Sequence, residues 1–218
     1  MVKTITTALP KRLNERNYME LIVPYVDAMQ NMLFRIEALN KDFSRKYQND
    51  PIHHIQSRIK TKKSIEGKLT RLQLEPTVEN ARDQLTDIAG IRVICHFIRD
   101  IDWIVDIIKK QKDLIILKER DYIRNPKSNG YRSYHIVFGV PVYHTDGMDY
   151  YPVEIQLRTM SMDFWASMEH RICYKKEPRQ PVAQEMLVEE FLGYARQLEE
   201  IEAKMERYCD EPREMTER

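Results

Sequence analysis

Residues 150–158, Tyr-Tyr-Pro-Val-Glu-Ile-Gln-Leu-Arg, alternate so strictly that only an extended strand satisfies both of their faces. At a two-residue period Tyr151, Val153, Ile155 and Leu157 share one side, and Glu154, Gln156 and Arg158 share the other. The apolar side requires a core. The polar side sets a carboxylate, an amide and a guanidinium about 7 Å apart along the strand. Such a row is costly in mid-sheet unless something uses it, and Glu154 reads as half of an acid pair that holds a metal ion.

The rest of the chain supplies the sheet and its helices. Tyr18, Leu21, Tyr25, Met29, Met32, Ile36 and Leu39 recur every three to four positions, predicting a long amphipathic helix over 17–47, bent or begun at Pro24. Further strands are predicted at 52–60, 91–97, 114–122 and 131–140, and helices at 62–74 and 100–112, with a short helical stretch after Pro76. A hairpin turn falls at Asp146-Gly147. Ser161 is placed to cap a helix that buries Phe164, Trp165, Met168 and Ile172. A last helix over 182–208 carries Met186, Phe191, Leu198, Ile201 and Met205 on one stripe. The expected fold class is α+β, a mixed sheet of about five strands flanked by helices. The expected divisions are a flexible leader at 1–15, an N-terminal helix at 16–48, a core at 49–178, and a C-terminal helix and tail at 179–218.

Composition removes several function classes. The 218 residues carry a net charge of +1, so there is no global attraction to nucleic acid or membrane, although local basic clusters remain. Cys95, Cys173 and Cys209 are odd in number and widely spaced, which argues against a disulfide framework or structural zinc and fits a reducing cytoplasm. No apolar run reaches the length of a signal peptide or membrane span. The six glycines build neither a G-x-G-x-x-G nor a P-loop, so any phosphate must be held by Arg and Lys side chains.

Four clusters could carry chemistry. Asp87 and Glu154 each lie at or within a strand; they either share a cation, for which Mg²⁺ on nucleotide phosphates suits hard oxygen ligands, or form separate ion pairs. Arg58, Lys60, Lys62, Lys63 and Lys68 are either a solvated face or a phosphate site, with Arg92 similarly placed on the next strand. Tyr131, Ser133 and His135 share a face at strand period. They suit a purine stacked on Tyr131, with phosphates on Lys127 and Arg120, or a Tyr-rich edge strand. The histidines do not make a metal site: His53 and His54 point to opposite faces, and His96 and His170 read as core residues.

Together these residues resemble the synthetase domain of the RelA/SpoT-type alarmone enzymes, and the length matches the small alarmone synthetases. The motifs are Arg58-Ile-Lys60, Ser64 with Lys68, Asp87-Ile-Ala-Gly-Ile-Arg92, Gly130-Tyr-Arg-Ser-Tyr-His135, Val153-Glu-Ile-Gln-Leu-Arg-Thr159, and Phe164-Trp-Ala with Glu169-His170.

The resemblance implies a nucleotidyltransferase-like sheet and transfer of the β,γ-pyrophosphate of ATP to the 3′-hydroxyl of GDP or GTP, with Mg²⁺ as cofactor. Arg58 and Arg92 then match the pair that sandwiches adenine, and Lys60, Ser64 and Lys68 the ATP-phosphate contacts. Asp87 and Glu154 match the metal carboxylates, Glu154 also taking the 3′-hydroxyl proton. Tyr131 matches the ring that stacks on guanine, and Arg120, Lys127, His135 and Gln156 fit the acceptor side.

Synthesis without hydrolysis is expected, since no His-Asp dipeptide occurs. So are a cytoplasmic homotetramer built on the terminal helices and no membrane association; RNA is left open as a partner, with no feature that points to it. At the positions where the product-activated branch binds its product, this chain has His54, Gln56 and Asp163. An anion bound beside Asp163 would be repelled, so little or no product activation is expected. Two other readings remain: a catalytically inactive nucleotide- or RNA-binding module of the same fold, and a nucleotidyltransferase that releases pyrophosphate.

Overall fold

Five strands form one mixed sheet: β1 (Ile52–Ile59), β2 (Ala89–Cys95), β3 (Ile115–Asp121), β4 (Tyr134–His144) and β5 (Gly147–Thr159), in the order β1-β2-β5-β4-β3. Only β2 and β5 run parallel; the other pairs are antiparallel. The structure, a computed structural model, describes residues 10–173 and 181–210. Among these residues six helices accompany the sheet: α1 (Glu15–Tyr47), α2 (Lys62–Arg71), α3 (Val78–Gln84), α4 (Ile98–Lys109), α5 (Met160–Cys173) and α6 (Pro181–Asp210). Among the described residues, no helix is long and apolar enough to cross a membrane.

The alternation in β5 does what its pattern requires. Val153, Ile155 and Leu157 are fully buried in one apolar cluster with Ile91 and Val93 of β2, Leu21, Tyr25, Met32 and Ile36 of α1, and Ile101, Ile104 and Ile108 of α4. At about 1.5–3 kcal/mol for each buried large apolar side chain, this layer fixes the register of β5, because a one-residue slip would bring Glu154 and Gln156 into the core. The β4–β5 hairpin closes with His144 opposite Gly147, so the turn falls at Thr145 and Asp146.

Several local expectations are corrected. α1 begins at Glu15, capped by the Asn14 side chain, and runs through Pro24 without breaking. The hydrogen bond that Pro24 cannot make is offset by burial of Leu21, Tyr25 and Ala28 around it. The end of the leader is pinned: Arg12 bridges Thr77, the Leu13 N–H donates to the Pro76 carbonyl at 2.9 Å, and Leu13 is buried. Residues 1–9, with Pro178 and the tail beyond 210, lie outside the described residues.

The strand expected from Tyr131 starts only at Tyr134. Thr159, not Ser161, accepts the Met162 N–H at the start of α5, while the Ser161 hydroxyl turns to Glu202 of α6. Phe164 and Met168 face outward, and α5 meets α6 through Trp165 and Ala166 against Phe191 and Ala195. The stripe on α6 is split: Phe191 is buried, whereas Met186, Ile201 and Met205 are exposed.

Candidate active site

Strand register alone assembles a polar row across the sheet. Arg120 on β3 lies opposite His135 on β4, His135 opposite Gln156 on β5, Gln156 opposite Arg92 on β2, and Arg92 opposite Gln56 on β1. Four inter-strand spacings make this row about 19 Å long, enough for two nucleotides end to end. The neighbouring row holds Glu154, Gly90 and Arg58. Arg58 is therefore diagonal to Arg92 on adjacent antiparallel strands, a separation of about 7–8 Å. One planar ring fits between two such side chains.

A cavity of about 150 Å³ opens between these rows, lined among others by Arg58, Asp87, Arg92, Glu154 and Gln156. Ligand pockets typically measure about 300–1,000 Å³, so this one suits phosphates and an ion, with bases lying along its open rim. Gly90 stands on its floor, where any side chain would project between Arg58 and Glu154.

Asp87, in the turn before β2, is held by two cations: its Oδ2 accepts from Lys68 Nζ at 2.8 Å and from Lys60 Nζ at 3.0 Å. Burial pushes its carboxyl up, but Lys68 and Lys60 outweigh that and leave it below the ordinary carboxylate value. Its Oδ1 is buried and has no hydrogen-bond partner among the described residues. Such an orphaned hard oxygen beside a second carboxylate is a chemical fit for Mg²⁺, which is commonly bound by one or two carboxylates, phosphates and water. Among the described residues no group of three or more His, Cys, Asp or Glu could hold a metal, so phosphate or water would have to complete the coordination.

Glu154 is half-buried. Its Oε2 accepts from Gln156 Nε2 at 2.9 Å, and its Oε1 lies 3.6 Å from His135 Nδ1. Burial raises its carboxyl, His135 and Gln156 lower it, and Asp87 raises it again; the net value lies below the ordinary one. The carboxylate is therefore ionised at neutral pH and able to take a proton from a hydroxyl.

Beside Gln156 on β5, Arg158 is buried and donates through Nη2 to the Tyr131 hydroxyl at 2.7 Å and through Nη1 to Asp163 Oδ1 at 3.1 Å. The Tyr131 hydroxyl lies 2.8 Å from His135 Nε2. A guanidinium only donates, so for a neutral His135 the hydroxyl donates onward to Nε2, which leaves the ring proton on Nδ1, facing Glu154. For a neutral His135 the hydrogen bonds thus run one way, from Arg158 through Tyr131 to His135, whose Nδ1 lies 3.6 Å from Glu154 Oε1. Lys127 Nζ lies 4.8 Å from the centroid of the Tyr131 ring. The loop carrying it, expected to be flexible, is tied by Arg124 to Asp102 at 2.8 Å and by Gly130, where a Cβ would come within 2.9 Å of Ala195 on α6.

The placements differ from expectation at several residues. Arg58, Lys60, Lys68, Asp87, Arg92, Glu154, Gln156, His135 and Tyr131 converge, and Ser64 sits in the first turn of α2, its hydroxyl 2.8 Å from Thr61 Oγ1. Lys62 turns away to Glu66 and Glu15. Arg120 is exposed at the row's end and donates to the Glu119 carbonyl. Gln156 has both ends of its amide engaged, on Glu154 and on Arg158, so it braces Glu154.

His170 is exposed, and His96 is half-buried edge-on to His53 at 5.6 Å, so neither is a core histidine. Asp163 is not bare: Arg158 and Arg92 both reach its Oδ1, which removes the simple repulsion argument against a nearby anion. The sequence reading gives Arg158 only a place on the polar face of β5 and Asp163 only a repulsive charge, whereas here the two are joined and reach Tyr131 and Arg92. Arg158 was visible on the polar face of β5, but Asp163, on a helix, carried no periodic signal.

A family model described as a region found in RelA / SpoT proteins matches residues 57–179. The GTP pyrophosphokinase YwaC of Bacillus subtilis (strain 168) is 42% identical over 156 residues, 72% of this chain and 74% of that one. The GTP pyrophosphokinase YjbM of the same organism is 32% identical over 163 residues, 75% of this chain and 76% of that one. Small alarmone synthetase 1 from Bacillus subtilis, solved with its product pppGpp, superposes with a TM-score of 0.80 at 28% identity over 92% of this chain and 100% of that one. Small alarmone synthetase 2 from Bacillus subtilis does so with a TM-score of 0.72 at 37% identity, over 91% and 100%. By family match, identity over most of both chains, and shared fold, this chain belongs to the RelA/SpoT family, among its small alarmone synthetases.

Proposed function

We propose that this enzyme is an ATP:GTP/GDP 3′-pyrophosphotransferase that makes pppGpp and ppGpp. The observation that carries the reading is Glu154: an ionised, half-buried carboxylate in the same cavity as Asp87, with a guanidinium pair on one side and an aromatic ring on the other. Arg58 and Arg92 are spaced to take adenine between them. Lys60 and Lys68, which share Asp87 and together keep one net positive charge, face the ATP phosphates. Bound Mg²⁺ would neutralise phosphate charge and draw on Asp87 and Glu154.

Tyr131 stacks on guanine once the long, exposed Lys127 side chain leaves its ring for the acceptor's phosphates. Glu154 accepts the 3′-hydroxyl proton as the 3′ oxygen bonds to the β-phosphorus; the bond from that phosphorus to the α,β-bridging oxygen breaks and AMP departs. Positioning and charge neutralisation supply most of the acceleration.

Incubation with γ-labelled ATP and GTP tests this directly. Label should appear in a guanosine product together with AMP. Label in free pyrophosphate would mean attack at the α-phosphorus, and unchanged ATP would leave only a binding module. Tyr131→Ala should raise the acceptor KM about 5- to 150-fold, the range expected for loss of one base–aromatic stack. The KM for ATP should change much less, and equal effects on both would count against guanine stacking.

The exposed apolar residues Met19, Val23 and Phe34 on α1 and Met186, Ile201 and Met205 on α6 support a homotetramer built on these helices, and the free Cys95, Cys173 and Cys209 support a reducing, cytoplasmic setting.

A further inference from the structure

Two guanidinium groups from neighbouring strands meet on a single carboxylate oxygen. Arg92 Nη1 lies 3.4 Å, and Arg158 Nη1 3.1 Å, from Asp163 Oδ1. Arg92 belongs to the face proposed for adenine. Arg158 belongs to the other end of the site, with Nη2 on the Tyr131 hydroxyl, Nε 3.4 Å from Ser133 Oγ, and its guanidinium 5.2 Å from the Tyr131 ring centroid. Asp163, in the first turn of α5, is the group that touches both.

Electrostatics explains why the carboxylate is needed. Burial lowers the affinity of Arg92 for its proton, Arg158 lowers it further, and Asp163 acts in the opposite direction. Without Asp163, two desolvated cations would repel each other across the β2–β5 boundary, and each would take up whichever rotamer lay furthest from the other. With it, the position of each guanidinium depends on the other.

We propose that Asp163 is a positioning residue that couples the two nucleotide subsites, so that occupation of the Arg92 side tightens binding on the Tyr131 side and the reverse. The inference rests on the assignment of adenine to Arg92 and guanine to Tyr131. A base stacked on Arg92 fixes that guanidinium. Asp163 then holds Arg158, and Arg158 holds the hydroxyl of the stacking ring. The cost of ordering the pair falls on the first ligand, and the second meets a site already ordered. By reciprocity, both nucleotides must show the same coupling factor. The competing reading is a plain ion pair bracing β5 against α5, which would affect stability and both affinities but not their ratio.

The test is calorimetric titration of the full chain with GDP and Mg²⁺, with and without saturating α,β-methylene ATP. In the wild type, the analogue should tighten GDP about fivefold or more, the lower end of ordinary coupling factors. In Asp163→Asn that factor should fall to about one while the protein still melts cooperatively. Asp163→Glu, which keeps the charge one methylene further out, should recover part of it. A factor of one in the wild type, or an unchanged factor in Asp163→Asn, overturns the coupling. If both nucleotides bind but independently, this inference alone fails. If neither binds, the pyrophosphotransferase reading fails with it.

Discussion

Glu154→Gln should lower turnover by about 10²–10⁴-fold, the usual contribution of a positioned general base, and leave the fold intact. Glutamine matches glutamate in shape, so the packing of Val153 and Ile155 on either side is undisturbed, and the amide can still contact Gln156 and His135. What it loses is the charge proposed to take the 3′-hydroxyl proton and to help hold the cation. Initial rates of pppGpp formation, read beside a thermal melt, check this; near-normal turnover would remove Glu154 from the role.

The same substitution has a pH signature. The folded-state value of Glu154 lies below its unfolded one, so ionisation stabilises the fold. That contribution is complete above the unfolded value and is lost as pH falls through the folded one. The melting temperatures of wild type and Glu154→Gln should therefore differ most at neutral pH and draw together as the solution is acidified below the ordinary carboxylate range.

How far the site could be read in advance follows from the range of each signal. A strand writes its two faces into alternate residues, so Glu154 and Gln156 were legible as a polar row, and the register of β5 follows from what Val153, Ile155 and Leu157 must bury. The mixed five-stranded sheet was legible for the same reason. Long-range partners leave no such trace. Nothing in the spacing of Lys60, Lys68 and Asp87 says that both ammonium groups end on one oxygen, because that depends on α2 turning back at Thr61.

Asp163 was hidden for a similar reason. Taken alone it is one acid in the first turn of a helix, and its charge was weighed without the two arginines that neutralise it. Pro24 misled in the opposite direction: a local rule set a bend or a start there, and the helix runs on from Glu15 with Leu21, Tyr25 and Ala28 buried around it. The helix stripes misled at Phe164 and Met186 because periodicity identifies a face without saying whether this chain or a second copy covers it.

Asp87→Asn should separate two functions that now sit on one carboxylate. Oδ2 is occupied by Lys60 and Lys68, while the buried Oδ1 has no partner among the described residues, and Asp87 lines the same cavity as Glu154. If Oδ1 serves the cation, the amide should cost roughly a hundredfold or more in turnover, since stabilisation of phosphoryl charge by a metal is worth several kcal/mol. The Mg²⁺ concentration for half-maximal rate should also rise. Binding of an ATP analogue in the presence of a chelator should move the other way: Lys60 and Lys68, released from their shared counter-ion, are freed to meet the triphosphate, so metal-free affinity should hold or increase. A structural counter-ion alone would predict losses in both measurements, because removing it would let the two ammonium groups drift apart. Turnover that collapses while chelator-resistant binding persists would assign Asp87 to the metal, whereas a parallel fall in both would return it to the scaffold.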